Sequence, residues 1–266
     1  MFLVGSVQDI SKDRLLTEAL TDKNLELERS NAELASFSYI ASHDLQEPLR
    51  KIQSFSKFLL DMELTDLSGT AKDYFSRIIS AAERMQKLID DLLSYSRSSH
   101  SEIKLMPADL NLILEEVKNN LHEVIEEKKV IIETDVLPVL PVIKPQFIQL
   151  FSNLISNAIK FSHPHIPPHI RISSCIVPGN EIVTDTVLPQ NGEFWKLRIS
   201  DNGIGFDQKY EHKIFELFQR LHGRSKYEGT GIGLAICKKI VHNHKGAITA
   251  TGQPGNGAVF TVFLPI

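Results

Sequence analysis

From Phe75 to Leu92 the apolar residues Phe75, Ile78, Ala82, Met85, Ile89 and Leu92 follow one another at intervals of 3, 4, 3, 4 and 3. This alternation averages to the roughly 3.5-residue period of a coiled-coil seam and excludes a strand, whose side chains alternate faces. It predicts a helix over about Thr70–Arg97. A second stripe precedes it: Ala41, Leu45, Leu49, Ile52, Phe55 and Leu59 share one side of a helix running from about Leu34 to Leu60. The Thr65–Gly69 region breaks the two. Two such helices form an antiparallel hairpin with more apolar surface than one hairpin can bury. Two hairpins close a four-helix bundle, so the spacing predicts a homodimer.

The remainder follows a different pattern. After the polar stretch SRSSHSEIK, candidate helices cover about Asp109–Lys128, Lys144–Phe161 and Gly231–His244. Candidate strands are Val130–Thr134, Ile170–Ile176, Trp195–Ser200, Ala247–Thr251 and Ala258–Phe263. Short strands gathered with long helices predict an α+β layer structure with helices on one face of a sheet. The boundary falls near residues 98–106, giving a hairpin over 34–100 and a mixed domain over 101–266. Residues 1–33 read as a short strand followed by a connector. Leu20, Leu27 and Leu34 recur every seven residues there, with Asn24 and Asn31 three residues before the last two. That is a coiled-coil signature, with a solvated connector helix as the alternative.

Charge and hydropathy exclude several classes of function. A net charge of −4 argues against non-specific nucleic-acid binding, which needs a basic surface. No apolar run is long enough to span a bilayer, and Phe2–Val4 is too short for a signal peptide. The expectation is a fragment without membrane contact and cytoplasmic, whatever a longer parent carries. Cys175 and Cys237 stand far apart with no partner motif, and read as buried small hydrophobes in a reducing compartment, with a disulfide as the alternative.

His43 falls roughly opposite the apolar stripe of the first helix, near Glu47 and Arg50. Asp44 beside it can accept a hydrogen bond from one imidazole nitrogen, leaving the lone pair of the other available for attack. Pro48 removes one backbone donor just past the histidine. In the helix about Lys144–Phe161, Asn153, Asn157 and Lys160 share a polar stripe beside the apolar face of Phe147, Phe151, Leu154, Ala158 and Phe161. An amide oxygen one turn from an ammonium suits a Mg²⁺–polyphosphate group, although an ordinary polar helix face reads the same way.

Two glycine-rich runs follow. Asp201-Asn-Gly203-Ile-Gly205 ends a strand, where a carboxylate can accept the exocyclic amine of adenine and glycines allow close backbone approach. Gly229-Thr230-Gly231-Ile-Gly233 opens the last helix as an anion site. It is neither a Walker loop nor a dinucleotide fingerprint, since the lysine-serine/threonine ending and the order of elements are missing. Between them lie Ile214-Phe215-Glu-Leu-Phe218 and a polar stretch with Arg220, Arg224 and Lys226. The HPHIPPH run spreads His163, His165 and His169 around prolines and reads as a plain loop rather than a zinc site.

The string from Phe37 to Leu49, FSYIASHDLQEPL, resembles the H box of sensor histidine kinases. NLISNAIKFS, DNGIGF, IFELF and GTGIGLA resemble, in order, the N, first glycine, F and second glycine boxes of their ATP-binding domains. The resemblance runs from about Leu34 to the C-terminus. It implies a dimeric four-helix bundle followed by an α/β sandwich ATP-binding domain of the gyrase–chaperone–kinase type. His43 would be the phospho-acceptor and Asp44 its base; Asn157 would ligate Mg²⁺, with Asn153 beside it, and Lys160 and Arg220 would contact the phosphates of ATP. Asp201 would read adenine, Gly203 and Gly205 would shape the base pocket, and Gly229, Thr230, Gly231 and Gly233 would anchor a mobile lid. The implied partner is the receiver domain of a response regulator, whose aspartate takes the phosphoryl group. Glu47 departs from the family pattern, which often has Thr or Asn there to position a water, and this speaks against phosphatase chemistry. GSVQDIS resembles the last strand of a PAS sensor domain, implying a sensor upstream. Two other readings compete with this one: a clamp ATPase of the same fold and a non-catalytic dimeric scaffold.

Overall fold

A computed structural model of the chain describes residues 23, 45–59, 69–97, 105–186, 188–221 and 229–266. The expected N-terminal strand and heptads, His43, Asp44, Arg224 and Lys226 lie outside the described residues.

The hairpin consists of α1 (residues 45–59) and α2 (Gly69–Arg97). Leu49 packs against Ala82, Ile89 and Leu93 in a small buried cluster. Gln46 Nε2 donates to Asp90 Oδ1 at 2.8 Å and ties the two helices together. The apolar stripes split in two. Leu45, Ile52, Phe55, Ile78 and Met85 remain exposed while Ala82 and Ile89 are covered. An α-helix turns about 100° per residue, so a heptad pattern drifts about 20° per repeat. Ile78 and Met85 therefore sit on the flank of the line through Ala82, Ile89 and Leu93.

The mixed domain runs β1 (Met106–Asp109), α3 (Leu110–Asn120), α4 (His122–Glu127), β2 (Ile131–Thr134), β3 (Val139–Val142), α5 (Lys144–Lys160), β4 (His169–Pro178), β5 (Glu193–Asp201), α6 (Gly233–Asn243), β6 (Ala247–Gly252) and β7 (Ala258–Pro265). Five strands form a sheet in the order β2-β4-β5-β7-β6, parallel between β2 and β4 and antiparallel elsewhere. The helices lie on one face. Ile170 and Ile172 of β4 and Leu197 and Ile199 of β5 meet Phe147, Phe151, Leu154 and Ile155 of α5, and Ile236 and Ile240 of α6, in one continuous core. On β4, Arg171 between the two isoleucines is exposed, the period of two expected of a sheet with one face on a core. A smaller cluster of Phe194, Ala247 and Phe263 carries Ile182 and Leu188 of the β4–β5 connection.

Several expectations are corrected. The helix expected over Asp109–Lys128 is two helices broken at Leu121, after Asn119 and Asn120, both poor helix formers. Asp109 precedes α3 as its cap, accepting Asn111 N–H at 2.8 Å. β1 and β3 pair antiparallel, with Pro107 opposite Pro141, and neither was expected. A strand holding a proline lacks a ladder donor and carries no clean signal. The last helix starts at Gly233 rather than Gly231, because Gly231 has a φ of 76°. Cys237 is buried as expected, and burial pushes its thiol up to about 12. Cys175, on β4, is exposed instead.

Candidate nucleotide site

A cleft of about 1260 Å³ opens between α5, the end of β5 and the loop leading into α6. Asn153, Asn157 and Lys160 bring one wall from α5, spaced so that all three share a face. Asp201 and Gly205 come from the end of β5 and its turn, and Gly229, Thr230, Gly231 and Gly233 from the entry to α6. Arg220 lines the cleft as well. Asn153 and Gly233 stand 80 residues apart in sequence, and the two walls converge because α5 and α6 pack side by side.

At one end, Asp201 Oδ1 accepts the N–H of Gly203 at 2.9 Å and of Ala258 at 3.2 Å. Burial raises the carboxyl above its ordinary value, opposed by those two donors. Phe206, Ile214 and Phe260 make the neighbouring wall apolar. Gly203 is not part of the lining. It lies beneath Asp201, and a Cβ there would stand 2.5 Å from Phe161 O. Gly205 has a φ of 60° and its backbone presses against Gln253 O, so a side chain has neither the space nor the conformation.

At the other end, the Lys160 ammonium lies against Gly229, where an added Cβ would come within 2.6 Å of Nζ. Asn153 Nδ2 donates to Gly233 O at 3.2 Å, joining α5 to the start of α6. Asn157 is half-buried in the lining, and its side-chain amide has no hydrogen-bond partner among the described residues. His163 and His165 line the cleft beside Pro164 and Pro167, while His169 pairs with Glu133 at 3.1 Å on the sheet. Glu47 of α1 pairs with Lys51 at 2.7 Å on an exposed face.

Sequence reasoning missed two kinds of lining residue. Phe206 was already within the quoted DNGIGF string, and its position next to the glycines was the available signal. Lys87 and Asp91 of α2 also line the cleft, and no local pattern could announce them because they depend on how the hairpin packs against the mixed domain.

A carboxylate held for a donor, an apolar middle and a cation beside glycine-rich backbone define an ATPase-type nucleotide cleft. Residues 143–266 match the family described as histidine kinase-, DNA gyrase B- and HSP90-like ATPase, and residues 33–101 match the His Kinase A (phospho-acceptor) domain. The chain belongs to the sensor histidine kinases. It is 40% identical over 243 residues to cyanobacterial phytochrome A of Nostoc sp., covering 91% of this chain and 30% of that protein. It is 38% identical to the phytochrome-like protein Cph1 of Synechocystis sp., covering 94% of this chain and 31% of that one. The chain therefore spans about a third of the length of these relatives. In fold it is similar to full-length ShkA, solved in complex with AMPPNP, with a TM-score of 0.63, 22% identity, and coverage of 86% of this chain and 45% of that one. It is also similar to the histidine kinase AdeS of Acinetobacter baumannii, with a TM-score of 0.52, 22% identity, and coverage of 84% and 97%. No helix among the described residues is long and apolar enough to cross a membrane.

Proposed function

We propose that the chain is an ATP-dependent protein-histidine kinase that phosphorylates its own His43 and passes the phosphoryl group to an aspartate of a receiver domain. The observation that carries this is the cleft itself, with a half-buried acceptor at Asp201, an apolar middle and the Lys160 ammonium against Gly229. Adenine fits the first, its ring the second, and the phosphates the third. Asp201 accepts the exocyclic amine; Lys160 and Arg220 hold phosphate oxygens; Thr230 and the backbone of Gly229, Gly231 and Gly233 close over them. Gly203 positions Asp201, and Gly205 allows the base to approach the backbone.

The half-buried, unpartnered amide of Asn157 suits a hard cation that takes oxygen ligands from phosphate and water, and Asn153 fixes the wall beside it. Mg²⁺ bound there would neutralise charge on the phosphates. A neutral His43 nitrogen attacks the γ-phosphorus as the bond to the bridging oxygen breaks and ADP leaves. Asp44 takes the proton from the other ring nitrogen. Positioning and charge neutralisation supply the rate, since the loose transition state asks little covalent help of the protein. A carboxylate oxygen of the receiver aspartate then attacks that phosphorus, the P–N bond breaks, and the ring takes back a proton to leave His43 neutral.

The same reading divides the chain into a connector over 1–33 that leads from a PAS-type sensor, a dimerising hairpin over 34–100 and the ATP-binding domain over 101–266. The exposed Ile52, Phe55, Ile78 and Met85 support a second copy on the hairpin. The test is incubation with Mg-ATP, with acid-labile, base-stable labelling expected and lost in His43→Ala while ATP still binds. Label persisting on that variant removes His43 as acceptor. ATP hydrolysis without label favours a clamp ATPase.

A further inference from the structure

One face of α2 docks on the ATP-binding domain. Leu88 and Tyr95 pack against its core. Gln149 Nε2 donates to Ser94 Oγ at 2.6 Å, and Lys239 Nζ stands 6.0 Å from the centre of the Tyr95 ring. Between them Thr230 Oγ1 donates to Asp91 Oδ2 at 2.6 Å. Positions 88, 91 and 95 recur at helical spacing, so these contacts belong to one docked face.

Asp91 thereby brings a carboxylate to the phosphate end of the cleft. It occupies the Thr230 hydroxyl next to Gly229, against which Lys160 lies. Lys87, one turn earlier on α2, lines the same cleft with Lys160 and Arg220. A bound triphosphate would compete with the Asp91 carboxylate for these donors and be repelled by its charge. A nucleoside without phosphates would not.

We propose that Asp91 is a nucleotide-discriminating residue supplied by the hairpin, which makes the docked arrangement unfavourable to a triphosphate and indifferent to a nucleoside. By linkage the reverse holds: a triphosphate weakens docking of α2. The proposal rests on the nucleotide reading of the cleft. It makes ATP binding itself the event that frees the ATP-binding domain from this position on α2.

The test compares the full chain with Asp91→Asn and Asp91→Ala, measuring AMPPNP and adenosine by calorimetry. Both variants should bind AMPPNP about tenfold more tightly, within the usual range of site–site coupling, with adenosine unchanged. A second measurement uses Ser94→Cys with Gln149→Cys in a Cys175→Ser background. Disulfide formation between the pair should slow with AMPPNP and not with adenosine. Unchanged or weaker AMPPNP binding in both Asp91 variants overturns the proposal, as does a crosslinking rate indifferent to AMPPNP. Failure of the unsubstituted chain to bind either ligand overturns the nucleotide reading instead.

Discussion

His244 Nε2 accepts the backbone N–H of Ile143 at 3.0 Å, while its Nδ1 donates to Ile240 O at 2.7 Å. The two bonds fix one neutral tautomer and join the end of α6 to the start of α5, the two helices that frame the cleft. The ring is buried, edge-on to Phe147 at 5.0 Å. Burial lowers its pKa, against the raising effect of the Ile240 carbonyl. A protonated ring would turn Nε2 from acceptor to donor and face it with the Ile143 N–H.

The sign follows from linkage. The unfolded chain binds this proton at about pH 6.5 and the native chain only below that. The contribution is whole above the unfolded value and is lost as pH falls toward the depressed native value. Thermal melts of the wild type should therefore show Tm falling as pH drops below about 6.5, and this dependence should be reduced in His244→Gln. His244→Ala should cost about 1–3 kcal/mol by leaving the Ile143 N–H without a partner. A pH profile identical in wild type and His244→Gln would contradict the assignment.

Asp201 offers a trade between stability and binding. Its charge is costly where it lies, since burial raises the carboxyl. Asp201→Asn keeps an oxygen for the N–H groups of Gly203 and Ala258 and removes the charge, so the nucleotide-free Tm should rise by a few degrees. The amide's other end is then a nitrogen, donor against the donor amine of adenine. ATP affinity should fall about 10- to 100-fold, the worth of a charge-assisted hydrogen bond. Calorimetry and melting of one sample decide both; unchanged affinity would move the base elsewhere.

Gly229 tests the phosphate end independently. Its φ of 144° is open to glycine, and a Cβ would meet the Lys160 ammonium at 2.6 Å. Gly229→Ala should displace that cation and lower AMPPNP affinity by about tenfold or more, with a much smaller effect on adenosine. An equal loss for both ligands, read by the same titrations, would mean the loop holds the whole cleft together rather than its phosphate end.

Much of this arrangement was legible because its signals are local. The hairpin follows from the seam between Phe75 and Leu92, and the cleft from glycine strings whose backbone demands admit few other residues. What escaped depends on distance or on weak strands. Pro107 and Pro141 conceal the β1–β3 pair because neither can donate to a ladder. Gly203 stands outside the cleft lining, beneath Asp201, to which its N–H donates, and only the fold of the turn reveals that placement. Asp91 reaches Thr230 across 139 positions, and only the packing of the two parts reveals it.

The division of the α2 seam yields the sharpest test of the dimer. Read as one stripe, Met85 and Ile89 would be equivalent, but Ile89 is only 9% exposed against Leu49 of its own hairpin while Met85 is 45% exposed. A charge at the first position is buried within one chain, and a charge at the second is buried only if another copy covers it. Ile89→Asp should therefore lower the melting temperature and helix content of the hairpin. Met85→Glu, a good helix former on a flank, should leave helix content intact and shift the chain toward monomer. A chain beginning at Leu105 should be monomeric and still bind ATP, since the core of α3, α5 and α6 on the sheet lies within it. Sedimentation with circular dichroism on the three proteins separates the cases. A Met85→Glu chain that remains fully dimeric would place the contact between copies on a different surface from Ile78 and Met85.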